Sequence, residues 1–418
     1  MWRFLWFVLP ALTIIQVLRD RSAVTRGPLF YHLLLLLAWP GVYDVVVVVI
    51  GFRLEQLLDI PLKFGPAIVY GLFRTASSRR TSMNSPVLLI FLIPATAICF
   101  SVFAGQSIQF PVSWAAMALP ALWIWQEVNL KEQSVAAFRS AVRLIFAANL
   151  ILVLAQPSQS FGACRSDKCG IFGFNFTPGG MQSNNLTLTL GLLLAASLVG
   201  LPSKQKVMCF VSSAILVDLA GGRTGLLTLV VSSATVVLVD GPRHPVLRKR
   251  LSLLAVLAAF LASWLPVAVQ VGNDFATRRG SLWNLAKELA SDSPLLGYGP
   301  SFWVRQASTS TVVANYSAHN LWLELMVAGG AVAVLTLIAG GIWAMRTSDA
   351  SVAPLLMVLA SALLAGGIFE ATIMPYRLTL IPGVFIAFLL LCSCRLKVVP
   401  EPGLLPRPLE KSGSHADT

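Results

Sequence analysis

The sequence predicts an all-α polytopic membrane protein of about 12 transmembrane helices, with a large outer loop carrying short amphipathic helices. Three observations lead there. The 418 residues are 56% hydrophobic and only 12% charged, roughly half the charged share of a soluble domain. Apolar segments recur at about the 20 residues that a bilayer crossing takes. Basic residues gather in short loops, "RDRSAVTR", "FRTASSRR" and "PRHPVLRKR", as cytoplasmic loops do under the positive-inside rule. A β-barrel is excluded because alternating segments of about 10 residues are missing. The net charge of +13 therefore reads as topology, and nucleic acid is not an expected partner; the bilayer is.

Topology is clearest from the C-terminal end. The polar, Pro-rich tail 396–418 reads as cytoplasmic and disordered, leaving 1–395 as one integral membrane domain. Spans are expected near 376–394, 352–372 and 319–343, with Arg346 at a cytoplasmic turn. A large outer loop, 272–318, then follows a span near 251–271 and the basic inner loop 241–250. Further spans are expected near 224–239, 207–221 and 185–201, the last two separated by Lys204 and Lys206 on the inside. A second outer loop, 157–184, is preceded by spans near 138–156, 110–126 and 86–103. The segments 3–18 and 28–50 also read as spans, the first with no cleavable signal peptide. "IPLKFGPAIVYGLF" is either a short span or a surface helix.

Loops longer than about 15 residues in a compact protein tend to be functional or disordered. In 272–318, "SLWNLAKELA" puts Leu282, Leu285, Ala286 and Leu289 at helical spacing, opposite Lys287 and Glu288. It predicts an amphipathic helix lying on the outer membrane face. "SPLLGYGPSFW" supplies turn residues after it. In 157–184, "GACRSDKCG" pairs Cys164 with Cys169, a candidate local disulfide if the loop faces an oxidising compartment. No cysteine has zinc-type partners nearby, and no outer carboxylate cluster suggests a magnesium site, because Asp274, Glu288 and Asp292 are scattered. No metal or cofactor is expected.

Basic residues on the outer side need a reason. Arg223 in "AGGRTGLL", Arg278 and Arg279 in "ATRRGSLW", and Arg305 are the candidates. Each alone can snorkel to lipid phosphate; two separate clusters on one face favour an anion held by the planar guanidinium fork. His319, one of four histidines, stands at the start of a span, where it can take or give a proton near neutral pH. Asn320 can cap that helix or bond to Glu324. His319 and Glu324 are about 140° apart around a helix, so Glu324 is expected to fix the helix rather than to orient the histidine.

"GGRTGLL" (221–227), "RGSLWNLAKELASDSPLLGYGPSFW" (279–303) and "SAHNLWLELMVAGG" (317–330) occur in that order. Together they resemble the O-antigen ligase and O-antigen polymerase superfamily over roughly residues 160–345. The family pattern is an Arg-Thr-Gly-Leu segment, Arg-x-x-x-Trp (here ending at Trp283), a Pro-Leu-x-Gly-x-Gly turn, and His-Asn before a span. Gly222 stands where a serine is usual. Arg278 occupies a common glycine position, leaving either Arg278 or Arg279 as the matching arginine. The resemblance implies a GT-C-type glycosyltransferase of the bacterial cytoplasmic membrane, inverting and metal-independent. It would move a glycan from undecaprenyl diphosphate to a hydroxyl of a lipid, glycan or protein acceptor on the outer face. The resemblance also implies that Arg223 and Arg279 engage the diphosphate and that His319 acts near the acceptor, with Asn320, Glu324 and Trp283 supporting. The competing expectation is a transporter or flippase, for which Asp44, Asp218 and Glu370 would be midplane polar groups and Pro40–Gly41 a helix break.

Overall fold

The computed structural model describes residues 2–19, 26–51, 56–77, 82–103, 108–164, 169–171, 173, 175–176, 183–241, 244–300, 302–303, 317–373 and 380–397. Apolar runs become helices wherever proline and glycine leave them intact. In chain order they are α1 (Trp2–Val17), α2 (Pro28–Leu37), α3 (Trp39–Ile50), α4 (Gln56–Ser77), α5 (Ser85–Phe103), α6 (Gln109–Ala118), α7 (Leu130–Ala155) and the short α8 (Pro157–Ser160). Then follow α9 (Ser183–Leu198), α10 (Ser203–Leu219), α11 (Arg223–Asp240), α12 (Pro245–Ala268), α13 (Phe275–Asp292), α14 (Leu321–Thr347), α15 (Ala353–Gly366) and α16 (Leu380–Ser393). Two small ladders join distant segments. β1 (Trp125–Glu127) pairs in parallel with β4 (Cys394–Leu396), and β2 (Phe161–Gly162) pairs antiparallel with β3 (Asn175–Phe176). The tail 398–418 lies outside the described residues.

Among the described residues, α5, α7, α11, α12 and α14 are long and apolar enough to cross a membrane, and the pair α2–α3, bent by 46°, raises the number to six. Several other segments expected as spans are apolar helices of only 10–17 residues, shorter than a perpendicular crossing takes. Proline explains part of this. Pro40 opens α3 just past the bend, and Pro120 sits in a 3-10 turn, Leu119–Leu122, that closes α6. The segment "IPLKFGPAIVYGLF" belongs to α4, which carries Pro61 and Pro66 inside it together with Asp59 and Arg74.

One core runs through the bundle, from Phe7 and Ile14 on α1 to Leu389 and Leu390 on α16. Helices α9 and α11 pack so closely that a Cβ on Gly191 would lie 2.7 Å from the Gly225 carbonyl, and one on Gly225 would lie 2.4 Å from that of Thr187. Small residues allow such approach between membrane helices. At the far end, the Arg74 guanidinium pairs with Glu127 and lies 4.8 Å over the Trp125 ring. Asp349 accepts the N–H groups of Leu396 and Ser351. Burial alone would raise its pKa, but these bonds and Arg395 hold it below the ordinary value.

The midplane acids of the transporter expectation serve three unconnected contacts. Asp44 pairs with Lys63 at 2.6 Å, Asp218 accepts the Ile171 N–H at 2.8 Å, and Glu370 contacts Arg279 and His319.

Helix α14 is not the continuous span that its apolar run predicts. Gly330 has φ +60 and ψ −158, and the helix breaks there. The turn after α13 enters the break: Ala331 N–H donates to the Pro294 carbonyl at 2.8 Å, Val332 N–H to that of Leu295 at 3.3 Å, and Tyr298 N–H to that of Val327 at 2.7 Å. The backbone groups freed by the break are thus satisfied by the chain itself, as a nonpolar environment demands. A Cβ on Gly330 would lie 2.3 Å from the Leu295 carbonyl, and the left-handed φ disfavours any other residue. Gly330→Ala should therefore lower the unfolding free energy in detergent by at least about 1–3 kcal/mol. Gly341→Ala, on the same helix with nothing within 4 Å of its Cβ, should leave the thermal midpoint unchanged or raise it.

Candidate functional site

The site is built where α14 begins. His319 immediately precedes the cap with φ +52, a left-handed conformation uncommon for a residue with a side chain. Its N–H donates to Ser317 Oγ at 2.9 Å. Asn320 is the N-cap: its Oδ1 accepts from the N–H groups of Trp322 and Leu323 at 3.1 and 3.0 Å. Its Nδ2 donates to the carbonyls of Ser263, Gly367 and Ile368, at 3.0–3.2 Å. Of the two roles expected for Asn320, capping is the one found. Glu324 accepts the Ala318 N–H at 2.6 Å and so braces the entry to the helix. Trp322 Nε1 donates to Ser263 Oγ at 2.8 Å.

These bonds draw the turn after α15 against the start of α14, and that turn delivers Glu370. Its Oε2 lies 2.9 Å from His319 Nδ1, and its Oε1 lies 2.6 Å from Arg279 Nη2. One carboxylate is thus shared by an imidazole and a guanidinium. The three side chains are 10–19% exposed, sunk in the protein yet open to solvent. Phe369, next to Glu370, lies 5.7 Å beneath the Arg279 guanidinium and stacks on Trp283 at 6.0 Å. Arg279 and Trp283 are four residues apart and share a helix face.

Helix α13 begins at Phe275, earlier than its apolar spacing predicts, so Arg278 and Arg279 are helical rather than in a loop. The side chain of Arg278 lies outside the described residues, as does Arg305. The expected stripe exists, but it faces protein rather than the membrane surface. Leu282, Trp283 and Ala286 are buried with Trp303, Ala318, Leu323 and Val327, and Leu285 and Leu289 pack against them. Lys287 donates to the Val269 carbonyl at 2.6 Å, and burial lowers its pKa.

Arg223 opens α11 and is exposed; no described residue forms an ion pair with it. Helix α11 packs along α15, where a Cβ on Gly366 would lie 3.3 Å from Thr228 Oγ1. Arg223 lies about 7.5 Å further along α11 than Thr228, towards the end of the bundle where α15 releases Glu370. The two predicted arginines therefore share an end of the bundle, but only Arg279 joins His319.

Glu370 joins this cluster although sequence reasoning considered it only as a midplane group of a transporter. It lies 91 residues from Arg279 and 51 from His319, with no motif around it. The usable signal was an acidic residue just past the end of an apolar run, on the side where the unexplained arginines lie.

Fold and site together define a multi-pass membrane protein of enzyme-like construction, with a histidine–carboxylate–arginine cluster at one end of its helices. Residues 208–338 match the family model for O-antigen ligase, so this part of the chain is similar to that family. The similarity supports an O-antigen ligase-like, glycosyltransferase-like reading at the family level. None of the curated proteins compared matches the chain.

Asn320 offers a sharp test of the site's construction. Asn320→Asp keeps the capping oxygen, and aspartate caps helices as well as asparagine. It would also turn an oxygen toward three carbonyls that now receive Nδ2. Thermal unfolding in detergent should show Asn320→Asp destabilised by about 1–3 kcal/mol, the cost of unmatched buried polar groups. A variant as stable as wild type would show that the cap alone matters.

Proposed function

We propose that the protein transfers a glycan from undecaprenyl diphosphate to an acceptor hydroxyl at the outer face of the bacterial cytoplasmic membrane. The observation that carries this reading is the Glu370 carboxylate held between Arg279 and His319. When Glu370 accepts the Nδ1 proton, the basic lone pair of His319 is on Nε2, the arrangement of a general base oriented by a carboxylate. Nε2 takes the acceptor's proton as its oxygen attacks the anomeric carbon. A single attack of this kind inverts the anomeric centre.

The leaving diphosphate needs its negative charge stabilised in the same step. Arg279 has five N–H donors, so its bond to Glu370 leaves others for a phosphate oxygen. Arg223 supplies a second guanidinium from α11. On this reading the loops 157–184 and 272–318 lie outside, and 241–250 and the tail 396–418 lie inside. Trp283 supports Arg279 through Phe369. Both a ligase and a polymerase use this chemistry; they differ in the acceptor.

The chemistry is tested by single-turnover transfer from purified lipid-linked donor. His319→Ala should slow transfer about 10²–10⁴-fold, the range of a positioned acid–base group, while donor binding persists. Glu370→Gln should lose at least about 10-fold through the wrong imidazole tautomer. Near-normal transfer by His319→Ala would remove the histidine from the mechanism. The topology is tested in a Cys99→Ser background with single cysteines at Ser291 and Ser203, both exposed. A membrane-impermeant maleimide should label intact cells at 291 and not at 203, and the reverse pattern would put the site on the wrong side for an outer acceptor.

A further inference from the structure

Two features of the sequence stand apart from the proposed chemistry: Asp218, and the pair Cys164–Cys169. The structure brings them to one place. Cys164 and Cys169 form a disulfide, and two residues further on the Ile171 N–H donates to Asp218 Oδ2 at 2.8 Å. Gly170 lies against the same residue, where a Cβ would sit 2.8 Å from the Asp218 carbonyl oxygen and 3.1 Å from Oδ2. Asp218 is in the last turn of α10, and its carbonyl accepts the Gly221 N–H at 2.7 Å. Gly221, with φ +67, reverses the chain, and Arg223 follows two residues later as the first residue of α11.

The turn 218–222 is gripped from both sides. On one side are Asp218's bond to the disulfide-closed segment and Asn175, whose Oδ1 would lie 2.9 Å from a Cβ on Gly221. Phe176, next to Asn175, packs 4.4 Å from Phe7 on α1 with the two rings tilted. On the other side is Thr187 of α9, whose Oγ1 would lie 1.8 Å from a Cβ on Gly222. The backbone that presents Arg223 is therefore held, while the side chain itself is exposed. Fixing a binding group before its ligand arrives removes an ordering cost from association, and a local disulfide limits the conformations open to the segment it closes.

We propose that Asp218 and the Cys164–Cys169 disulfide beside it are a positioning device for Arg223, which sets the affinity of the site for the diphosphate of its lipid donor. This rests on the diphosphate role given to Arg223 above. Asp218 touches no reacting atom; it acts on affinity rather than on the chemical step.

The experiment measures binding of undecaprenyl diphosphate, without glycan, to the full-length protein in nanodiscs, alongside kcat for transfer at saturating donor. Asp218→Ala and the double variant Cys164→Ser/Cys169→Ser should each weaken Kd about 5–30-fold, the scale of one or two lost hydrogen bonds. Their kcat should stay within about 3-fold of wild type, since His319 and Glu370 are untouched. Asp218→Asn, which keeps an oxygen acceptor for the Ile171 N–H, should restore Kd to near wild type. Should Asp218→Ala fail to fold, Gly170→Ala displaces the segment from Asp218 without altering a helix and should weaken Kd similarly. Unchanged Kd in these variants overturns the inference alone, and so does an Asp218→Asn variant as weak as Asp218→Ala. Failure of the wild-type protein to bind the diphosphate lipid overturns the role of Arg223, and with it this inference.

Discussion

A buried carboxamide holds the functional end of this protein together. Asn320 accepts two N–H groups at the start of α14 and donates to carbonyls on α12 and on the turn after α15. The Gly367 and Ile368 carbonyls lie just past the end of α15, where backbone groups lack an intrahelical partner. A bilayer-facing protein has little water to offer such groups, so one side chain that satisfies several at once fixes how the helices meet. The left-handed His319 and the approach of Glu370 both follow from that junction. The Leu321 N–H donates to the Gly367 carbonyl at 2.9 Å, which strengthens the same seam.

The shared carboxylate then couples three elements. Arg279 comes from α13, His319 from the entry to α14, and Glu370 from the end of α15. Burying a charge is costly unless it is paired and hydrogen-bonded, and Glu370 meets both conditions with two different partners. Removal of any one of the three groups leaves the others with unbalanced charge or an unmatched donor. The cluster is therefore cooperative, and single substitutions within it will not report separable contributions.

Much of this was legible in the sequence, for physical reasons that differ residue by residue. Arg279, His319 and Asn320 were visible because polar and basic residues at the edge of an apolar run are expensive in a membrane and need an explanation. The spacing of Leu282, Leu285, Ala286 and Leu289 gave α13 correctly, but a stripe does not say whether lipid or protein covers it; Trp303, Ala318, Leu323 and Val327 do so here. Glu370 was read only as a midplane polar group of a transporter, because its partners Arg279 and His319 are brought to it by the fold and not by nearby sequence. The expected number of about 12 spans is not confirmed: among the described residues five helices, or six with the bent pair α2–α3, are long and apolar enough, and several other expected spans are apolar helices of 10–17 residues. The disulfide was left open by the sequence and depended on a loop geometry that spacing alone does not fix.

The break at Gly330 divides α14 into two halves with separate packing partners. From Leu321 to Gly329 the first half is about 13 Å long, too short to cross a bilayer. It is tied to α13 twice, by Leu323 and Val327 packing on Leu282, Trp283 and Ala286, and by residues 294–298 seated in the break. Helix α13 carries Arg279, and the first half of α14 begins beside His319. The two groups that meet at Glu370 thus come from elements tied to each other by packing and by backbone hydrogen bonds. The second half of α14 packs along α5, where a Cβ on Gly340 would lie 2.7 Å from Ile90 Cγ1. The two halves of α14 are thus held by different neighbours, the first by α13 and the second by α5.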